Sequence, residues 1–168
     1  MLPADRKGQI KMIAHAEKAK SLFYEGYNCS QAVLCAFTDI TGIDLESSAR
    51  MASSFGGGLG RQREVCGTVS AACLVLGIVM GYSDPKDPEA KKDHYALVRR
   101  FCDSFRASEG SIICRELLVK AHVEQTSITP GGEPEERSAE YYKKRPCPQL
   151  AWQAAHILDE ILASHDDD

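Results

Sequence analysis

The chain has 168 residues, 43% of them hydrophobic and 26% charged, with a formal net charge of −4. Those figures are ordinary for one folded domain that buries about two-thirds of its unfolded surface, and the acidic balance with few aromatics leaves no electrostatic footprint for nucleic acid. The longest apolar stretch, residues 67–82, falls short of a bilayer span, and the opening MLPADRKGQIKM lacks the apolar core of a secretory signal.

Helical periodicity dominates and no alternating strand stands out. The expectation is an all-α, compact bundle of five to six helices forming a single domain over residues 1–168. A first helix is expected from Ala4 to Tyr24, with Met12, Ala16, Ala19 and Phe23 on one stripe, closed by Gly26. A second starts at Asn28, a good N-cap, and runs to Gly42 with Cys29, Ala32, Val33 and Ala36 inward. A short helix over residues 46–53 leads into a glycine-rich run at 55–60.

The central helix is expected from about Glu64 to Gly81, with a seam of Cys66, Val69, Cys73, Leu76 and Met80. Asp87-Pro88 opens the next helix, proline suiting the first helical position. Its inner face reads Tyr95, Val98, Cys102 and Phe105, and its lysines and arginines point outward. After a break at residues 108–111, another helix starts near Cys114. From about 122 to 145 the periodicity fades among charges, prolines and glycines, as in a long loop with room for one short exposed helix. Cys147-Pro148 then opens the last helix, with Leu150, Ala154, Ile157 and Ile161 inward, before a solvated tail at Asp166–Asp168.

This layout divides the seven cysteines. Cys35, Cys73 and Cys102 fall inside helices among apolar neighbours and read as small core residues. Cys29, Cys66, Cys114 and Cys147 each fall at a helix start and on an inward stripe. A helix start offers unpaired N–H groups and partial positive charge, which favour the thiolate that attacks disulfides or binds metal. Cys29 and Cys35, or Cys66 and Cys73, are too far apart along one helix to be bridged, so any redox partnership joins different helices. No CxxC pair supports a zinc ribbon or a thioredoxin-like site. Without an export signal the expected compartment is the reducing cytoplasm, where structural disulfides are rare.

The residues Cys29 in Asn-Cys-Ser-Gln-Ala, Cys66-Gly67, Cys114 in Cys-Arg-Glu-Leu, and Cys147 resemble the C–GCAxxG–C–C family, whose members are described as redox-active. The resemblance spans about Tyr24 to Leu162; Thr68 stands where that family has alanine and Ala71 where it has glycine. It implies thiol/disulfide chemistry, or electron transfer by an iron–sulfur cluster held on the same four cysteines, with a redox partner protein or a small thiol as electron donor. Likeness of family members to the split-Soret type of cytochrome adds to the cluster option, although no CxxCH haem motif occurs here. Two alternatives stay open: a zinc-binding module without turnover, and a helical scaffold or homodimerisation domain. The glycine-rich run ends in Arg61 and Arg63 and has the look of an anion cradle without a P-loop ending. Gly57, Gly58 and Gly67 are the expected backbone donors to a thiolate or cluster sulfur. Among the histidines, His94, His156 and His165 read as solvated, while His15 and His122 have no evident place.

Overall fold

A computed structural model describes residues 4–165, with side chains from Ala14 onward. It is all-α among these residues, with no strand. Helix α1 (Ala4–Tyr24) is followed by α2 (Cys29–Ala36), α3 (Thr38–Thr41) and α4 (Leu45–Ala52). A one-turn element α5 (Gly56–Leu59) precedes the central helix α6 (Gly67–Met80). Then come α7 (Pro88–Glu109), α8 (Cys114–Lys120), α9 (Gln125–Ile128), α10 (Ala139–Lys144) and α11 (Cys147–His165). A count of five to six is therefore too low. It corresponds to the helices of eight residues or more, and the shorter ones carry too few residues for a periodic signal.

Local chemistry explains most boundaries. Asn28 caps α2 with a full capping box: Gln31 N–H donates to Asn28 Oδ1 at 2.9 Å, and Asn28 N–H donates to Gln31 Oε1 at 3.0 Å. The helix expected to run on to Gly42 breaks at Phe37, whose φ/ψ of −105°/20° is not helical, and resumes as α3. Asp87 caps α7 through Ala90 N–H, with Pro88 in the first turn, and left-handed Gly110 ends it. The central helix starts at Gly67 and not at Glu64, because the residues before it are drawn into backbone pairing with 112–115 around a single antiparallel bridge between Val65 and Ile113. Cys66 N–H donates to Ile112 O at 2.8 Å, and Cys114 N–H donates to Glu64 O at 2.7 Å.

The core lies where α1, α2, α6 and α11 meet, with α7 along one side. Ala16 and Ala19 of α1 face Ala151, Ala154 and Ala155 of α11, all fully buried, and these small side chains let the two helices approach closely. Met12, the first member of the expected α1 stripe, has its side chain outside the described residues, as has the whole Asp166–Asp168 tail. On α7 the buried line is Leu97, Phe101 and Phe105. The expected line is rotated from it: Val98 and Cys102 sit at the flank, and Tyr95 is 49% exposed against Tyr82. Only a narrow stripe of α7 meets the bundle, and the i, i+4 run of large apolar residues centres it. The stretch expected as a loop contains α9 and α10, and its Ile128 and Val123 pack with Leu118 and Cys114 in a second small cluster. No helix among the described residues is long and apolar enough to cross a membrane.

Candidate functional site

Each of the four singled-out cysteines stands at a helix start. Cys29, Cys114 and Cys147 are the first residues of α2, α8 and α11, and Cys66 is the N-cap of α6. The pairing of residues 63–66 with 112–115 sets Cys66 and Cys114 side by side in the fold. All four line one cavity of about 330 Å³, while Cys35, Cys73 and Cys102 do not. Cys35 is fully buried, and Cys73 and Cys102 face each other across α6 and α7.

The helix-start argument expects depressed thiol pKa values, and burial overturns it at Cys66, Cys114 and Cys147. Burial and then the nearby Cys29 push Cys66 up to about 12, despite a hydrogen bond between Cys66 Sγ and Thr68 Oγ1 at 3.1 Å. Cys147 is pushed up by burial, then by Cys29 and Cys66, against the pull of Arg145. Cys114 is raised by burial against the opposing pull of Arg63. Cys29 thus acts on each of the other three. The thiol with a lowered value is Cys102, brought to about 7 first by its hydrogen bond with Cys73.

The glycines expected as backbone donors have a visible packing role. A Cβ on Gly67 would stand 2.6 Å from Cys29 Sγ, and one on Gly58 would stand 2.7 Å from Cys114 Cβ. Gly57, which lines the cavity, leaves room for Arg63 Nη1, 3.3 Å from where its Cβ would be. Gly57 and Gly58 belong to an unusual turn: residues 57–61 and 63 all have positive φ, and Leu59, Arg61 and Arg63 are not glycine. The left-handed conformation costs a non-glycine residue about 1–2 kcal/mol. Arg63 N–H and Glu64 N–H donate back to the Gly57 and Gly58 carbonyls, which closes the turn.

The turn aims arginines at the cysteines. Arg63 is 3% exposed, and its Nη1 donates to Cys114 Sγ at 3.8 Å. Arg61 lines the same cavity and donates through Nε to Gly131 O at 2.9 Å. Arg145, just before Cys147, is buried and paired with Glu135. Arg137 lies over the Phe23 ring at 4.3 Å and donates to the Phe23 and Tyr27 carbonyls. Tyr141, also on the wall, is pushed up to about 12, chiefly by burial. Arg61 and Arg63 were legible as the end of an anion cradle. Arg137, Tyr141 and Arg145 were not, since only tertiary structure folds the 122–146 segment over the cysteines.

Away from the cavity, His15 is buried between two carboxylates. Its Nδ1 is 2.8 Å from Asp159 Oδ1 and its Nε2 is 3.0 Å from Asp39 Oδ1. His156 and His94 are half-buried where solvation was expected; His156 stacks on Trp152 at 4.9 Å.

Fold and site together define an all-helical protein whose four helix-start cysteines meet around an arginine-walled cavity. A family model described as "Putative redox-active protein (C_GCAxxG_C_C)" matches residues 27–161, and the chain belongs to that family. No curated protein and no solved structure gives a match.

Proposed function

We propose that Cys29, Cys66, Cys114 and Cys147 form one thiol–disulfide redox centre. The observation that carries this reading is their common cavity, built from four separate helix starts and leaving out the other three cysteines. In the reaction, one cavity thiol loses its proton, and its thiolate attacks a disulfide R–S–S–R. One R–S⁻ departs with the bonding electrons and takes up a proton. A second cysteine thiolate then attacks the mixed disulfide at the protein sulfur and expels the other R–S⁻, which is protonated in turn. The protein is oxidised by two electrons to an internal disulfide, and the substrate is reduced to two thiols.

The raised thiol pKa values set the pH dependence. Near pH 7 Cys66, Cys114 and Cys147 are held protonated, so with any of these three as the attacking thiol the rate of oxidation rises with pH from 7 to 9 without levelling off. The test is to treat the fully reduced chain with bis(hydroxyethyl) disulfide, quench with acid, and map the linked peptides by mass spectrometry. The expected result is one disulfide among the four residues and, in Cys29→Ser, at least half the oxidation rate lost. Oxidation confined to Cys35, Cys73 or Cys102 sinks the reading.

A second reading rests on the same donor set. Four cysteines lining one cavity match the ligand complement of an iron–sulfur cluster, which supplies one-electron transfer when bound. Cys29, Cys66, Cys114 and Cys147 would hold it. Iron content and visible absorbance after anaerobic purification distinguish the two. Among the described residues no three His, Cys, Asp or Glu side chains are grouped to hold a metal ion, so a cluster and a zinc ion alike would need the four cysteines drawn closer together.

A further inference from the structure

We propose that the cavity takes a small carboxylate-bearing disulfide, held by its carboxylate on Arg63 while its sulfurs face the cysteines; this substrate class rests on the thiol–disulfide reading above. The argument begins at the Arg63 guanidinium, which is almost wholly buried. Its Nη1 is used by Cys114, but Nε and Nη2 have no hydrogen-bond partner among the described residues and no exposed surface, so a ligand engages them by drawing the guanidinium towards the cavity. Those two N–H groups lie on one edge of the planar guanidinium, spaced to donate side-on to both oxygens of a carboxylate. A buried cation with unmet donors is expensive, by several kcal/mol in general. The turn that presents it is itself strained, and Gly57 leaves room for its Nη1.

The surroundings lack the matching negative charge. The N-terminal ends of α2, α6 and α11 all reach the cavity through Cys29, Cys66 and Cys147, and each carries a partial positive charge. Arg61 adds to the field. Glu135, the acidic residue on the wall, is already engaged by Arg145 and Ser127. A bare inorganic anion would leave the rest of the space unused, since Phe23, Leu117, Leu118 and Leu150 line it as well. A volume of about 330 Å³ holds a short carbon chain beyond the carboxylate. Because Arg63 also touches Cys114, a carboxylate on its free edge brings the remainder of the ligand to the sulfurs.

The experiment compares two disulfides of similar size as oxidants of the reduced full chain at matched ionic strength: dithiodipropionate, with a carboxylate at each end, and neutral bis(hydroxyethyl) disulfide. The expected ratio of second-order rates favours the carboxylated compound by about 10- to 100-fold, the range set by a charged hydrogen bond. Arg63→Met brings that ratio towards one, and taking the ratio cancels any change in thiol reactivity itself. Should Arg63→Met fail to fold, Arg63→Lys keeps the charge without the side-on edge, and its ratio falls as well. A wild-type ratio near one, or a ratio indifferent to both substitutions, overturns the carboxylate site and leaves thiol exchange standing. If neither disulfide oxidises the cavity cysteines, thiol exchange fails. Calorimetry with the unreactive dicarboxylate adipate then decides the site alone: binding lost in the Arg63 variants supports it, and no binding to wild type ends it.

Discussion

A methyl group at Gly67 would sit 2.6 Å from Cys29 Sγ and 2.7 Å from the Phe55 carbonyl oxygen. The second neighbour is backbone and cannot swing aside, so Gly67→Ala must shift the start of α6 or the cysteine beside it. We expect a loss of about 1–3 kcal/mol, the usual cost of overfilling a packed site, read as a lower denaturant midpoint with an unchanged slope. A midpoint equal to wild type would mean that the contact is not as close as drawn. At this scale the positions of the cysteines were legible, because Asn28 and Pro148 mark helix starts in any sequence. Their acidity was not. It depends on burial and on the neighbouring thiols, and neither appears until the chain is folded.

Helices α1, α3 and α11 are joined by His15, which stacks on Phe37 at 4.5 Å and lies between Asp159 and Asp39. Burial pulls its pKa down, but hydrogen bonding and attraction from Asp159 and then Asp39 outweigh it and leave the value above 6.5. A group raised on folding stabilises fully below its unfolded pKa, and that share is lost as pH rises through the folded one. Asp159 is itself raised, chiefly by burial, so its own share begins to fade from the unfolded value of 3.8 upward. Melting curves from pH 6 to 9 should therefore show stability declining above pH 6.5, by at most about 1.4 kcal/mol per pH unit for one proton. His15→Gln should flatten that decline, and parallel curves for the two proteins would remove His15 as its source. A lone histidine among apolar neighbours does not announce such a clamp, because both carboxylates come from distant elements. The rotated face of α7 has a similar origin: periodicity finds an apolar side, and the neighbouring helices select its centre.

In the molecule as a whole, residues 122–146 close over the cysteines through a few specific ties. Arg137 lies on Phe23 and donates to the Phe23 and Tyr27 carbonyls, and Gly131 exchanges hydrogen bonds with Arg61. Local opening of this segment would expose the buried thiols at far less cost than global unfolding. Arg137→Ala removes a cation–π contact worth about 1–2 kcal/mol. Alkylation of Cys66 and Cys147 should accelerate by roughly 5- to 30-fold, in proportion to the lost contact. An unchanged rate would place the path to the thiols elsewhere. The helical architecture was readable because long amphipathic helices declare themselves. This closing segment was read as loop because its helices are too short for a period and its anchors are charges.

The left-handed turn at residues 57–63 has a consequence for how the sequence can drift. Glycine at 59, 61 or 63 would relieve the backbone, and selection for thermal robustness alone would move all three positions that way. Leu59 is 52% exposed and has little packing to lose, so it is the position freest to follow. At 61 and 63 the same drift would erase the positive charge over the thiols. A protein kept only for its fold would be expected to surrender those two arginines as well.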